Sequence, residues 1–361
     1  MPVSPETAGA FLTIDLKAIA ENRQSLQARL GNTVCGAVLK ANAYGLGAAE
    51  IGKALYESGC SVFFTAYAFE GAALRPFVGG SDIYLLHGAW AGTEELCLQN
   101  RLTPVLGTPD QIADWDAFAA KRGEVLTVGV HVDTGMTRFG LTARDVDAFC
   151  KNPPKHLRFK LIVSHLACAD VPDDAKNGEQ LALFDAAAAK IEQALGYAVL
   201  KSLSATDGSR LTDSRYHKDI ARPGIALYDN AVRLDARILQ TATAQAGQTV
   251  GYGATYTVDK PRRLITLGIG YADGFSRSLF RRASVAVGGF KCPVVGKVSM
   301  DLIVADATDV PESVLENAET AEIFGDTVSL KEYAANAGTI DYEMLTNLGN
   351  RFCRLYKKGQ P

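Results

Sequence analysis

No apolar run of roughly 18 residues occurs in the 361-residue chain, so no segment is long enough to form a membrane-spanning helix. The opening Met1-Pro2-Val3-Ser4-Pro5-Glu6-Thr7 lacks the basic start and apolar core of a secretion signal, and a cytoplasmic protein is expected. Cysteine is sparse and unpatterned. The seven cysteines, at 35, 60, 97, 150, 168, 292 and 353, include no C-x-x-C pair and total an odd number. They read as reduced thiols filling the core, with no metal site. Excess charge of either sign is also missing: Lys plus Arg total 37 against 40 for Asp plus Glu, a formal net charge of -3. A field that weak favours neither nucleic acid nor an anionic membrane. Tandem repeats and low-complexity stretches are absent too.

What the chain does have is apolar mass. Hydrophobic residues make up 47% of it, ample for well-packed cores, and the length predicts about two domains. A short strand is expected at Phe11 to Leu16 and a helix over Ala18 to Leu30, a segment without a breaker. Short apolar runs then recur at Val34 to Leu39, Ser61 to Ala66, Ile83 to Leu86, Thr103 to Leu106, Leu126 to Val132, Phe159 to Ser164, Leu200 to Leu203 and Ile225 to Tyr228. Most are separated by helix-like stretches, among them Ala48 to Ser58, Pro109 to Lys121 and Gly178 to Leu195. This alternation predicts an α/β fold, a parallel (β/α)8 TIM barrel; a doubly wound open sheet is the alternative. The barrel is preferred because Lys40, His87, Arg138, His165 and Thr206 fall at or just beyond the carboxyl ends of the runs, where barrel enzymes build their sites.

Beyond about Asn230 the pattern changes to alternating, β-branched segments with Gly and Asp turns, such as Ser284 to Val287, Val294 to Val298 and Leu302 to Ala305. The expected domains are a barrel over 12–232 and a mostly β C-terminal domain over 233–361, which residues 1–11 are free to join. Ala231 to Thr249 is the expected linker.

Lys40 is the residue that needs explaining. It ends the apolar run Cys35-Gly36-Ala37-Val38-Leu39, where a lysine loses hydration unless it is paired, neutralised or used covalently. Burial can lower a lysine pKa by roughly 3 to 5 units, which makes the amine a nucleophile. A lysine that snorkels from a strand end is the alternative. Tyr44, Gly45 and Gly47 follow, placing a phenol and open backbone nearby, an arrangement that suits a phosphate-bearing cofactor. Near the eighth run, Arg222-Pro223-Gly224-Ile225 offers backbone amides where barrels commonly bind phosphate, with Thr206 supplying a hydroxyl.

The segment Ala37-Val38-Leu39-Lys40-Ala41-Asn42-Ala43-Tyr44-Gly45 resembles the pyridoxal phosphate attachment segment of alanine racemases. The resemblance continues through Val132-Asp133-Thr134-Gly135-Met136-Thr137-Arg138, Val163-Ser164-His165, Arg222-Pro223-Gly224, Val250-Gly251-Tyr252-Gly253, Gly268-Ile269-Gly270-Tyr271-Ala272-Asp273-Gly274 and Val298-Ser299-Met300-Asp301, in the family's order, and runs from about residue 12 to 356. It implies that pyridoxal 5'-phosphate is carried by Lys40 and that Tyr44 reaches its phosphate. It also implies that His165 packs on the cofactor ring and that Arg222 faces the pyridine nitrogen. Thr206, Gly224 and Ile225 are the expected phosphate donors. Arg138 is expected at the substrate carboxylate, with Met300 and Asp301 nearby and Tyr271 lining the entrance.

Racemisation needs two acid/base groups on opposite faces of a planar intermediate, and Lys40 and Tyr252 fit that need. The resemblance brings Tyr252 from a second subunit, hence a homodimer with shared sites. A phenol acting as base near neutral pH needs positive charge beside it, and His165 and Arg222 are the expected sources. The implied reaction interconverts L- and D-alanine for peptidoglycan precursors. A decarboxylase on the same architecture and a non-catalytic cofactor-binding protein are the alternatives. The chain departs from the family pattern at Leu46, where a histidine is usual; at His131, where many members have a carbamylated lysine; at Ala205, which has no side-chain amide; and at Asn350, where some members have a tyrosine.

Overall fold

The computed structural model describes residues 3–358. The chain divides into two compact units. One, the barrel unit, comprises Ile19–Ala43 and Gly47–Tyr228; the other, the β unit, comprises the described residues up to Ala18, the short segment Tyr44–Leu46, and the described residues from Asp229 onward.

In the barrel unit, seven strands lie parallel and in chain order: Ala37–Val38, Val62–Thr65, Asp82–Leu85, Leu102–Leu106, Leu126–His131, Leu157–Val163 and Leu200–Ser202. Ile220–Ala221 pairs in parallel with Val34–Cys35, and a bridge between Ala205 and Arg222 ties it back to the seventh strand. The first strand therefore serves two neighbours, one on each side of Gly36. Glycine is required there because a Cβ would stand 2.9 Å from the Phe64 ring and 3.3 Å from the Ala221 carbonyl, which accepts the Gly36 amide at 3.0 Å. Helices including Ala48–Glu57, Pro109–Arg122, Ala143–Lys151 and Ala175–Leu195 connect the strands. Their starts are sequence-coded. Thr108 accepts the Gln111 amide with Pro109 at the first helical position, and Thr142 and Asp145 form a capping box.

Val38, Val62, Phe64, Tyr84, Val105, Leu161, Val163 and Ile220 pack into one buried cluster, with the Phe64 and Tyr84 rings stacked at 5.3 Å. Burying each such side chain stabilises the fold by roughly 1.5–3 kcal/mol relative to leaving it exposed. Because these strands are parallel, the residues following all of them come out on one rim.

Two sequence expectations are corrected. The run Ile225 to Tyr228 is a buried 3-10 turn; the strand that closes the ring is Ile220–Ala221, just before Arg222. Apolar composition cannot separate a buried strand from a buried turn, and Pro223 marks where the strand ends. The expected linker, Ala231 to Thr249, contains instead the longest strand of the β unit, Val232–Ala244, which pairs with three neighbours. Its Leu234 and Ala236 alternate into the core while polar neighbours face out, so its average polarity hid a strand.

The β unit is an eight-stranded, mostly antiparallel sheet in the order Arg262–Leu267, Ile303–Asp306, Phe290–Val295, Ser284–Val287, Thr320–Phe324, Val232–Ala244, Ala10–Asp15, Cys353–Lys357. Val232–Ala244 also pairs with Arg262–Leu267, so six of these strands close on themselves. Ala10–Asp15 and Cys353–Lys357 add to it, antiparallel and parallel respectively. Among the described residues no helix is long and apolar enough to cross a membrane.

Candidate active site

Lys40 follows the strand Ala37–Val38, and the chain then enters an unusual turn. Ala41, Asn42, Ala43 and Tyr44 all have positive φ, between 51° and 58°. Four consecutive non-glycine residues in the left-handed region cost roughly 1–2 kcal/mol each, so the surroundings must hold them there. Several contacts do. Asn42 accepts the Ala48 amide on its side chain at 2.8 Å and the Gly47 amide on its carbonyl at 2.9 Å. The Ala41 amide donates to Glu70 Oε1 at 2.7 Å, while Glu70 Oε2 accepts from Ala66 and Tyr67 at 2.8 and 3.1 Å. Burial, together with the Arg138 and Arg222 charges, pulls the Lys40 amine below the usual lysine range, with Glu70 opposing the shift. The left-handed turn thus follows an amine biased toward its nucleophilic neutral form.

Arg222, 3% exposed, holds its guanidinium inside the barrel unit. It donates to Ser202 Oγ at 2.5 Å, to the Ser164 carbonyl at 2.7 Å and to His165 Nδ1 at 3.5 Å. All of these partners are neutral. Burial lowers this guanidinium to about 9, so it remains protonated at neutral pH, a positive charge with no carboxylate beside it among the described residues. Because arginine only donates, His165 Nδ1 is the acceptor, which puts any ring proton on Nε2.

Burial and the Arg222 and Arg138 charges hold the His165 imidazole down to about 3. It is therefore neutral at pH 7, against the expectation that it supplies positive charge. Behind His165, fully buried Gln180 donates to the His165 carbonyl at 2.9 Å and to Thr134 Oγ1 at 3.3 Å, and accepts the Ala167 amide at 2.8 Å. Thr134 in turn shares a 2.8 Å hydroxyl contact with Ser164.

Arg138 is exposed on the loop after Leu126–His131. Asp133 Oδ1 folds this loop by accepting the amides of Gly135, Met136 and Thr137 at 2.9, 3.1 and 3.1 Å. At its far end Gly140 has φ +122°, and a Cβ there would lie 2.4 Å from His131 Nδ1. His131 is buried, its Nδ1 finds no hydrogen-bond partner among the described residues, and burial followed by the Arg222 and Arg138 charges holds it down to about 3. It brings no negative charge to Arg138.

Thr206 Oγ1 accepts the Gly224 amide at 3.0 Å, and Ile225 opens the 3-10 turn that follows. Thr206, Gly224 and Ile225 are thus one connected piece of the rim. Tyr44 belongs to the β unit, where its buried ring meets Tyr342 edge-on at 5.8 Å and burial pushes its phenol up. Leu46 is buried there as well, its carbonyl accepting from Tyr356 at 2.8 Å.

Elsewhere in the β unit, Tyr252 is 72% exposed at the start of a short 3-10 turn. Tyr271, Met300 and Asp301 come together on two paired segments: the Tyr271 amide donates to the Ser299 carbonyl at 3.1 Å and the Ala272 amide to the Met300 carbonyl at 3.0 Å. Arg351 joins them, donating to Asp273 at 2.7 and 2.9 Å and to Asp301 at 2.7 Å.

Sequence reasoning missed Glu70, Ser202, Gln180 and the bridging role of Arg351. The one local signal for Glu70 was its place three residues after Tyr67, where it caps the helix Ala68–Leu74. In the barrel unit the charges of two guanidinium groups, Arg138 and Arg222, and of one carboxylate already engaged with backbone amides act on one depressed amine, and two imidazoles with lowered proton affinity, His87 and His165, interact with it. Such a donor set fits an anionic, aldehyde-bearing cofactor and a substrate carboxylate.

Comparison with known proteins agrees. A family model described as "Alanine racemase, N-terminal domain" matches residues 14–231, and one described as "Alanine racemase, C-terminal domain" matches residues 231–356. The alanine racemase of Rhizobium meliloti is 40% identical over 383 residues, covering 99% of each chain, and that of Brucella canis is 37% identical over 377 residues, covering 97% of this chain and 94% of its own. Among solved structures, Bartonella henselae alanine racemase with covalently bound pyridoxal phosphate has a TM-score of 0.91 at 35% identity, over 97% of this chain and 100% of that one. The enzyme from a D-cycloserine-producing Streptomyces lavendulae has a TM-score of 0.90 at 26% identity, over 98% of each.

Proposed function

The chain belongs to the alanine racemase family, and from that premise we propose that it interconverts L- and D-alanine with pyridoxal phosphate as cofactor. The observation that carries the reading is the Lys40 amine, depressed by burial and by two guanidinium groups at the end of a barrel strand. When bound, the cofactor supplies an electron sink that acidifies the α-proton of an amino acid attached to it.

Lys40 is the covalent anchor and, once released, the proton-handling group on one face. Tyr252 of a second copy serves the opposite face, in a homodimer with shared sites; its high exposure in the single chain supports this. Each such positioned acid or base is typically worth about 10² to 10⁴ in rate. Arg222, protonated at neutral pH and already committing donors to Ser202 and Ser164, can only donate, so facing the ring nitrogen of a bound cofactor it would leave that nitrogen unprotonated. That weakens charge delocalisation into the ring and leaves return of the proton to the α-carbon as the net outcome.

Arg138 takes the substrate carboxylate, and Tyr271, Met300 and Asp301 line its approach. Thr206, Gly224, Ile225 and Tyr44 serve the phosphate, with Thr206 holding the Gly224 backbone in place, and the neutral His165 packs on the ring. The location is the cytoplasm and the role is supply of D-alanine for cell-wall precursors.

The test is direct. Protein given pyridoxal phosphate gains visible absorbance and forms D-alanine from L-alanine by chiral chromatography, and Lys40→Ala loses both. Protein that stays colourless, or that releases carbon dioxide without forming D-alanine, overturns the reading.

A further inference from the structure

We propose that Glu70 is the positioning residue of the lysine turn: its carboxylate pins the left-handed segment after Lys40 to the end of the neighbouring strand and so fixes where the amine stands. This rests on Lys40 being the attachment lysine. The two carboxylate oxygens divide the work. Oε1 accepts the Ala41 amide at 2.7 Å, at the first left-handed residue, while Oε2 accepts the amides of Ala66 and Tyr67, just past the strand Val62–Thr65, at 2.8 and 3.1 Å.

Helix capping explains only half of this. Tyr67 precedes the helix Ala68–Leu74, so the bond to its amide is a capping bond. The bond to Ala41 spans 29 residues of sequence and contributes nothing to that helix. Its partner is instead a residue whose conformation costs roughly 1–2 kcal/mol and persists only if held from outside. A carboxylate is required because both ends of the clamp are donors. Glutamine would aim its NH2 group at one of them and leave that amide unpaired.

Charge adds a second role. The Arg138 and Arg222 charges act on the amine, His87 and His165 feel its charge, and Glu70 is the acid that opposes the guanidinium groups. With His165 neutral, removing Glu70 leaves the amine among cations alone.

The experiment compares wild type, Glu70→Gln, Glu70→Ala and, as a control of stability, Arg75→Lys. Arg75 is buried at the end of the same helix and donates to the carbonyls of Gly79, Ser81, Asn100 and Arg101, with no bond to the lysine turn. Hydrogen exchange of the peptide covering Leu39 to Ala43 is measured in the cofactor-free chain. The pH dependence of Lys40 arylation by 2,4,6-trinitrobenzenesulfonate is read in the same chain by peptide mass spectrometry; the neutral amine forms the N–aryl bond and sulfite leaves.

Both Glu70 variants should speed exchange at this peptide by about ten-fold, as for loss of one charge-assisted bond, and move the arylation midpoint to lower pH. Arg75→Lys should lower the unfolding temperature and change neither. If the Glu70 variants lose stability like Arg75→Lys while exchange and midpoint stay at wild-type values, Glu70 is only a helix cap and the proposal fails. A wild-type chain that gains no visible absorbance with pyridoxal phosphate defeats the attachment reading instead, a result distinct from an unchanged Glu70 variant in a wild type that does colour.

Discussion

A lysine, an arginine and two histidines share one low-dielectric rim, and their charge states follow from burial and from one another. His131 and His165 are each held down to about 3, against 6.5 for an ordinary imidazole. Between those values the unfolded chain binds protons that the folded chain refuses, so stability rises with pH across the window. It is fully present above about 6.5 and is lost as pH falls toward 3. Thermal unfolding of the cofactor-free chain should therefore fall steadily between pH 7 and pH 4, and His131→Gln should flatten that slope; equal slopes would show that His131 is not held neutral. Lysine follows the same sign at the other end of the scale. A Lys40 pKa below 10.5 adds a stability increment that grows with pH up to that value, so Lys40→Met should stabilise the cofactor-free chain at pH 7 while abolishing colour on cofactor addition. Calorimetry and an absorption spectrum check the two halves.

Elements hold those residues by contacts that no single segment contains. The loop from Asp133 to Gly140 is folded by one aspartate and closed by a glycine whose φ of +122° and 2.4 Å approach to His131 leave no room for a side chain. Gly140→Ala should destabilise the fold by about 2–4 kcal/mol in urea titration, strain and overlap acting together. The helix Ala175–Leu195 contributes Gln180, which satisfies the His165 carbonyl and the Ala167 amide at once. Gln180→Leu fills the same space but orphans both, at a cost of about 2–4 kcal/mol, and should loosen the His165 segment in hydrogen exchange. A loss under 1 kcal/mol would mean water replaces the amide. At this scale the sequence was half legible. The helix Pro109–Arg122 was legible as the helix-like stretch Pro109 to Lys121. The closing strand Ile220–Ala221 did not, because two residues are too few to show a period, and the more apolar Ile225–Tyr228 beside it drew the assignment.

At the level of the whole molecule, the proposed reaction needs a group from each of two copies. Lys40→Ala and Tyr252→Phe should each be nearly inactive alone. Mixed, dissociated and reassociated at equal amounts, half the dimers pair the two variants and each of these holds one intact site, so activity should return to about a quarter of wild type per chain. No recovery on mixing, with exchange of subunits verified by mass, would place both groups in one copy.

From its residues alone the chain made legible the alternation of strands and helices and the placing of Lys40, Arg138, His165 and Thr206 after strand ends, and for an amine closing an apolar run it left covalent use or a snorkelling side chain, since burial of a charge is a local fact readable in a few neighbours. The neutrality of His165, the hold of Ser202 and Ser164 on Arg222, and the reach of Glu70 to Ala41 come from the folded chain. Those depend on groups 20, 58 and 29 residues apart in sequence for the three hydrogen bonds, and on cations from separate loops for the imidazole. Hydrogen bonds and electrostatic shifts act through distances of a few ångströms in space, and it is ring closure that makes those distances short.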